Sequence, residues 1–350
     1  LVKMSAILTR AMEEGALGLS TGLYYVPGSF ASTEEVVTLA KIASQYNGIY
    51  DTHLRDESTF NIGFNAALDE AILIANRANI HLHIAHIKAL GVDVWGQSKN
   101  AIAKIESAQA KGISISADQY PWLASGTKLH SAIMPKWAMA DSKDAFYQRL
   151  KDSTLKKQLR AEIQENIRRR GGPESLLITA FKTKALVGLT LANIAKKRSV
   201  DAVTAAIQLV QEGDVRIASF NMSATDVERF MQRPWVVTSS DGTNGHPRKF
   251  ASFPKKYQQY VQDKGILSLG QFIKQSTSKT AAILGFTDRG KLKQGYKADV
   301  IIFDPATFSA NATFSSWNTY STGVEYAVVN GEIVISNSNY LNKLAGQFIQ

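Results

Sequence analysis

The sequence predicts an α/β protein built around a parallel β-sheet. Over the first 129 residues, short apolar runs alternate with helical segments, a pattern typical of strands joined by helical crossovers. The composition, with 45% hydrophobic and 20% charged residues, is that of an ordinary globular protein. The regular alternation favours either a barrel or a doubly wound sheet.

The first elements follow directly from this pattern. A helix over residues 1–14 precedes an apolar strand over residues 16–23. Ser32, with Glu35 three residues later, forms a capping-box pattern and predicts the start of the next helix. Further along, the pattern predicts strands over residues 48–53, 80–86 and 113–118, and helices over residues 61–78 and 98–110.

A long insertion interrupts the alternation. The next strand of the same type, residues 235–239, follows only after more than roughly a hundred residues, much longer than a usual crossover. We predict that residues 130–234 form a helical, lid-like insert with return helices. Its charged stretch closes on Arg168, Arg169 and Arg170, which we expect to be a solvated helix end.

The C-terminal part changes character again. A helix over residues 269–284 is followed by short strands over residues 298–303, 324–329 and 332–335. Asn330-Gly331 between the last two strands indicates a type I′ hairpin. The predicted domains are therefore 1–129 with the first strands and helices, 130–234 with the insert, 235–290 with the last strand and helix of the main sheet, and 291–350 with a small β module and tail.

Composition excludes several classes of site. The chain has no cysteine, so disulfides, thiolate metal ligands and cysteine nucleophiles are excluded for these residues. No apolar run reaches the roughly 18 residues of a membrane span. The net charge of +10, from 40 basic and 30 acidic residues, leaves open a nucleic acid, an anionic substrate or a basic surface.

Three residues at strand ends form a candidate metal set. His53 and His86 end two successive strands, and Asp241 follows the last one. In a parallel barrel the carboxyl ends of the strands form the active-site face, and imidazole and carboxylate groups suit zinc. From spacing alone, each histidine has the alternative of a hydrogen-bonded structural role.

A second histidine pattern is less promising. His81 and His83 form an H-x-H pair on one strand. If His86 shares one face with Ile84 and Leu82 by the two-residue period of a strand, the pair faces the helix layer instead. We therefore predict that His81 and His83 are not metal ligands.

Four further side chains are candidates for substrate binding. Lys88 and Arg248 are cations suited to a carboxylate, and Tyr120 is a hydrogen-bond donor suited to an oxyanion. Tyr25 is the weakest of the four. A solvated loop position for Lys88 and packing roles for the tyrosines remain alternatives.

Several motifs together resemble the D-aminoacylases, which are N-acyl-D-amino-acid deacylases of the amidohydrolase superfamily. The most specific are T-H-L-R-D-E at residues 52–57 and S-D-G followed by H-P-R at residues 240–248. G-K-L-K-Q-G-Y-K-A-D-V-I-I-F-D-P at residues 290–305 is shared more widely among amidohydrolases. The resemblance extends over residues 16–335.

The resemblance implies a fold and a reaction. The fold would be a TIM-like (β/α) metal-dependent hydrolase barrel, seen here as strands four to eight, with a helical insert and a C-terminal β module. The reaction would be zinc-dependent hydrolysis of N-acyl-D-amino acids to a carboxylate and a D-amino acid, by metal-activated water. The implied roles, with one or two Zn²⁺, are His53, His86 and Asp241 as metal ligands, Asp241 also as general base, and Lys88, Tyr120, Arg248 and Tyr25 as substrate-binding residues.

One departure from the family pattern stands out. The family's first barrel strand carries an H-x-H pair and the next region a zinc-binding cysteine, and neither occurs in this sequence. We therefore expect an N-terminal part with strands one to three to be missing, and these 350 residues alone to bind zinc weakly and to have little or no activity. We also expect a cytoplasmic protein, with a periplasmic or secreted one as the alternative.

Two other functions are weighed against this one. A related amidohydrolase acting on cyclic amides or dipeptides would keep the same barrel. A noncatalytic basic protein would use the charge of the insert, but no nucleic-acid-binding motif accompanies that charge. The expected partner is a small N-acyl-D-amino acid, with neither nucleic acid nor membrane.

Overall fold

A five-stranded parallel sheet organises the first half of the chain. The computed structural model describes residues 1–349. The strands of the sheet are β1 (Gly18–Gly22), β2 (Ile49–His53), β3 (His81–Ile84), β4 (Ile115–Gln119) and β8 (Val236–Thr238), in the order β1-β2-β3-β4-β8. Every neighbouring pair is parallel, which confirms the predicted α/β class. The helices of this part are α1 (Val2–Glu13), α2 (Thr33–Gln45), α3 (Phe64–Ala78) and α4 (Ser98–Ala110).

Apolar residues of alternate strand positions pack against these helices. The Ser32 hydroxyl accepts a hydrogen bond from the Glu35 backbone N–H at 3.2 Å, so α2 begins where the sequence predicts. Leu82 of β3 is fully buried in one core with Ile74 of α3 and Ile105 of α4. Burying each such side chain contributes about 1.5–3 kcal/mol, which fixes the helices on this face of the sheet.

The opposite face of the sheet is polar. His81 Nε2 lies 2.7 Å from Ser116 Oγ, and His83 Nε2 lies 3.0 Å from Asp118 Oδ2. The prediction that His81 and His83 face the helices is therefore wrong, because Leu82 takes that side. The error arises at His86, which lies beyond the end of β3 with a φ of +38°, so the strand period does not extend to it.

A second sheet is formed by two strands of the insert and one strand just before it. Strands β5 (Ala124–Lys128), β6 (Leu176–Ala180) and β7 (Arg216–Phe220) pair antiparallel in the order β5-β7-β6. The prediction of a helical insert over residues 130–234 is thus wrong, because β6 and β7 lie within it. Strand β5 lies just before the insert, and its sequence, ASGTK, has too few apolar residues to signal a strand. The helices of this part are α5 (Leu129–Ile133), α6 (Lys143–Lys151), α7 (Lys156–Arg169), α8 (Leu191–Lys197), α9 (Ala202–Glu212) and α10 (Ala224–Met231).

The C-terminal part contributes β8 to the main sheet and ends in a separate antiparallel sheet. The helix predicted over residues 269–284 is interrupted at Thr277. Asn330 and Gly331 have φ values of +49° and +86°, which confirms the predicted hairpin. The elements are α11 (Arg248–Lys256), a π-helical segment (Tyr257–Asp263), α12 (Leu269–Ser276), α13 (Ser278–Ile283), and an antiparallel sheet of β9 (Val300–Phe303), β10 (Val324–Val329), β11 (Glu332–Ser336) and β12 (Asn339–Tyr340).

Among residues 1–349, no helix combines the length and the apolar character needed to cross a membrane.

Candidate active site and metal centre

All seven sequence-predicted site residues line one cleft. The cleft lies at the carboxyl ends of the parallel strands and encloses about 400 Å³ with its mouth included. β2 supplies one of them at its last residue, and the segments after β1, β3, β4 and β8 supply the other six. The seven residues are Tyr25, His53, His86, Lys88, Tyr120, Asp241 and Arg248.

Two of these histidines form a compact group with Glu57. His53 Nδ1 lies 3.1 Å from His86 Nε2, and Glu57 Oε1 lies 3.5 Å and 3.3 Å from His53 Nδ1 and His86 Nδ1. Candidate ligand atoms of the three side chains all lie within 4.8 Å of one another. Sequence reasoning missed Glu57, although it follows His53 by four residues within the T-H-L-R-D-E motif.

A hydrogen-bonded turn holds Glu57 in place. The carboxylate of the neighbouring Asp56 accepts backbone N–H groups from Ser58 at 2.8 Å and from Asn61 at 2.6 Å. The Glu57 carbonyl accepts the backbone N–H of Leu90 at 2.8 Å. These bonds tie the segment after β2 to the segment after β3, and so they bring Glu57 to the two histidines.

Electrostatics keep the group in the protonation state that a metal requires. Burial alone would raise the pKa of Glu57, but Lys88 Nζ at 2.5 Å and His53 hold that pKa well below its usual range. Burial lowers the pKa of His53 to about 3, with Glu57 opposing. At neutral pH the group therefore consists of an ionised carboxylate and a neutral His53 imidazole, as metal ligation requires.

A second charged pair faces this group across the cleft. Asp241 Oδ2 lies 2.7 Å from Arg248 Nη1, and the Arg248 guanidinium lies 4.6 Å from the ring centre of Tyr120. Within residues 1–349, the buried Tyr120 hydroxyl has no hydrogen-bond partner. Burial raises the pKa of Tyr120 well above 10, so its hydroxyl is a donor at neutral pH. Asp241 is not in the three-residue metal group, and its predicted ligand role is untested.

Two tyrosines pack against the metal group. The Tyr25 ring stacks on His53 with ring centres 5.1 Å apart, and the Tyr24 ring meets His53 edge-on at 5.6 Å. The Tyr24 hydroxyl donates to the Ser131 carbonyl at 3.1 Å, and so connects the main sheet to the insert. Sequence reasoning did not single out Tyr24.

The triple-arginine run divides between surface and cleft. Arg168 is exposed and pairs with Asp93 at 2.8 Å, as a solvated helix end would. Arg170 is only 2% exposed and lines the cleft, so the prediction is wrong for this residue. A signal was present, because Arg170 continues the buried stripe of Ile163 and Ile167 on α7 at helical spacing.

Comparison with known proteins gives a family match over part of the chain and several relatives over most of it. Residues 191–335 match the sequence model of the amidohydrolase family. The chain is 30% identical over 332 residues to the N-acyl-D-glutamate deacylase of Alcaligenes xylosoxydans xylosoxydans, covering 94% of this chain and 60% of the relative. The family match is thus confined to residues 191–335 of this chain. A D-aminoacylase of the same organism is 28% identical to this chain, with 99% and 64% of the two chains covered.

Solved structures of a D-aminoacylase and an N-acyl-D-glutamate deacylase have a fold similar to that of this chain. A D-aminoacylase crystal structure superposes with a TM-score of 0.80 at 28% identity, over 98% of this chain and 64% of that one. The zinc- and phosphonate-bound N-acyl-D-glutamate deacylase of Bordetella bronchiseptica gives a TM-score of 0.78 at 28% identity, over 95% and 62%. The chain therefore spans about three fifths of the length of the relatives it matches.

Proposed function

We propose that this protein takes part in zinc-dependent hydrolysis of N-acyl-D-amino acids to a carboxylate and a D-amino acid. The observation that carries the proposal is one cleft in which His53, Glu57 and His86 face Asp241 and Tyr120. The names of the relatives, an N-acyl-D-glutamate deacylase and a D-aminoacylase, support this substrate class.

The donor set fits zinc. Two imidazoles and one carboxylate within 4.8 Å of one another are ligand types that zinc accepts. We propose His53, Glu57 and His86 as the residues that hold the metal, with Asp241 as the further ligand that the sequence predicts. Zinc bound there would polarise the scissile carbonyl and lower the pKa of water. The number of ions, one or two, stays a prediction.

The remaining cleft residues have distinct roles in this proposal. Asp241 would take a proton from the attacking water and return it to the nitrogen of the leaving D-amino acid. The unpartnered Tyr120 hydroxyl would donate to the oxygen of the scissile carbonyl. Arg248 would bind the substrate carboxylate, with Lys88 and Tyr25 as further contacts. In the structure, Arg248 is paired with Asp241, so substrate would compete for this cation.

We further propose that the five-stranded sheet is an arc of a TIM-like barrel, namely strands four to eight. Within residues 1–349, neither β1 nor β8 has a neighbouring strand on its outer side. An L-hydantoinase from Arthrobacter aurescens, 15% identical with a TM-score of 0.55, shares the fold. In this division, residues 1–129 and 235–290 form the barrel part, 130–234 the lid and 291–350 the β module. A cytoplasmic location stays a prediction.

Activity assays with zinc would test the reaction. The full chain, supplied with zinc, is assayed on N-acetyl-D-methionine, its L-enantiomer, a hydantoin and a dipeptide. We expect slow release of the D-amino acid only, in keeping with the weak zinc binding predicted for these 350 residues. That release should be lost in Asp241→Asn but not in Asp263→Asn, an exposed aspartate on the π-helical segment. Turnover of the hydantoin or the dipeptide instead would contradict the proposal.

A further inference from the structure

The cleft is lined by three cationic side chains but only two carboxylates. Glu57 is paired with Lys88 at 2.5 Å, and Asp241 is paired with Arg248 at 2.7 Å. Arg170 lines the same cleft as a third cation. Among the described residues, no carboxylate oxygen lies within 4.0 Å of its guanidinium. One buried positive charge of the cleft is therefore left without an anion.

The contacts of Arg170 are all with neutral groups. Its Nε donates to the Ala132 carbonyl at 2.9 Å, and its Nη2 donates to the Tyr24 hydroxyl at 3.1 Å. Its Nη1 lies 3.5 Å from Ser219 Oγ, and the Phe60 ring centre lies 5.1 Å from the guanidinium. A guanidinium that is 2% exposed and lacks an anion is costly to bury, and a bound anion would offset that cost.

A second cation approaches the same tyrosine from its ring face. Lys136 Nζ lies 3.5 Å from the ring centre of Tyr24 and donates to the Ser131 carbonyl at 3.3 Å. Within residues 1–349, no carboxylate oxygen lies within 4.0 Å of Lys136 either. The acidic group whose field reaches it is Asp56, and that carboxylate already accepts backbone N–H groups. Tyr24 thus contacts two cations that have no carboxylate partner among the described residues.

The two cations line two neighbouring cavities. Arg170 lines the cleft, and Lys136 lines a neighbouring cavity whose other charged groups are Lys128, Lys143 and a single carboxylate, Asp214. Tyr25 lines both cavities and so connects them. The neighbouring cavity is therefore positively charged and opens beside the proposed reaction centre.

We propose that Arg170 and Lys136, which both contact Tyr24, form an anion subsite for a second carboxylate of the substrate. This inference rests on the proposed function, because it assigns the substrate class of that site as N-acyl derivatives of acidic D-amino acids. Arg248, in contact with Asp241 and Tyr120, is placed to take the α-carboxylate next to the reacting amide. Arg170 and Lys136 then take the side-chain carboxylate.

A pair of isosteric substrates isolates the second charge. N-acetyl-D-glutamate and N-acetyl-D-glutamine differ only in the charge of the side-chain terminus. We expect the zinc-supplied full chain to show a kcat/KM at least about tenfold higher for the glutamate compound, because a charge-assisted hydrogen bond is made only to it. Lys136→Met and Arg170→Met should each remove most of that ratio. Arg168→Met and Lys99→Met, which change exposed cations outside the cleft, should preserve it.

Binding measurements separate this subsite from the reaction itself. Calorimetric titration of the zinc-supplied Asp241→Asn protein with both compounds should show the same preference without turnover. A preference in binding, together with turnover of the hydantoin or the dipeptide instead of the N-acetyl-D-amino acid, would overturn the proposed function and support the subsite. The subsite would be overturned if both compounds had equal affinity and equal kcat/KM. It would also be overturned if Lys136→Met left the ratio of the two kcat/KM values unchanged. Lys136 is only partly buried, so this variant decides the question even if Arg170→Met fails to fold.

Discussion

Glu57 is the residue that turns two neighbouring histidines into a candidate metal centre. Its Oε1 atom lies 3.3–3.5 Å from both imidazoles and 2.5 Å from Lys88 Nζ. One carboxylate oxygen therefore contacts both histidines and the lysine. Among the described residues, Lys88 is the permanent cation that pairs with the Glu57 carboxylate. A zinc ion would join the same carboxylate, and the lysine would compete with the metal for it.

Removing the charge of Glu57 should therefore weaken zinc binding. Glu57→Gln keeps the shape of the side chain but supplies a poorer ligand. Loss of a residue that only supports a ligand costs about 10–100-fold in metal affinity, and we expect at least that for a direct ligand. Competition with a chromophoric chelator measures the affinity. Glu174→Gln, at an exposed position, is the control, and equal affinities in the two variants would exclude Glu57 as a ligand.

The Tyr120 hydroxyl provides a test of the chemical step. It is buried in the cleft without a partner in the described residues, so Tyr120→Phe removes no internal hydrogen bond. If the hydroxyl stabilises the developing negative charge on the carbonyl oxygen, kcat should fall about a hundredfold with little change in KM. Steady-state kinetics of this variant and of Tyr320→Phe, at an exposed position, measure the effect. A change in KM alone would assign Tyr120 to ground-state binding.

At the scale of elements, the sequence was informative where periodicity was strong. α4 begins and ends at the predicted residues, because its apolar positions recur at helical spacing. The strand ends then placed His53 and His86 at the carboxyl end of the parallel sheet, and this explains why they lie close together. β5 was missed because its small polar residues carry no such pattern. The helical spacing that places Arg170 on the buried stripe of α7 was present, but its partner Tyr24 is distant in sequence and carried no signal.

Strand β1 contains two glycines with different surroundings. A Cβ atom added to Gly18 would lie 2.0 Å from the Ile49 carbonyl oxygen of β2, and a backbone atom cannot move away cheaply. A Cβ atom at Gly22 would meet only the Tyr25 ring, at an ordinary 3.7 Å. Gly18→Ala should therefore lower the free energy of unfolding by at least about 1–3 kcal/mol, while Gly22→Ala should lower it much less. Urea denaturation of both variants measures the difference, and equal losses would contradict this register of β1 on β2.

At the scale of the whole molecule, several of the protein's basic side chains lie in cavities rather than on the outer surface. The net charge of +10 is compatible with an anionic small molecule as ligand, because several basic side chains line the cleft and the neighbouring cavity. One further cation is buried away from that cleft. Lys256 of α11 is 0% exposed, and its Nζ donates to Thr238 Oγ1 and Gln275 Oε1, both at 2.8 Å. It therefore ties β8 and α12 together with neutral acceptors.

This buried lysine should make global stability depend on pH. Burial, with Lys279 adding to it, lowers the pKa of Lys256 from 10.5 to about 7 in the folded protein. The unfolded chain keeps the ordinary pKa of about 10.4, so between pH 7 and pH 10 the unfolded state binds more protons than the folded state. The free energy of unfolding should therefore rise with pH in this window, by up to about 1.4 kcal/mol per pH unit from this group. Urea denaturation at several pH values should show this rise in the wild type and in Lys99→Met, and a flatter profile in Lys256→Met. Parallel profiles for all three proteins would mean that Lys256 has the same pKa in the folded and unfolded states.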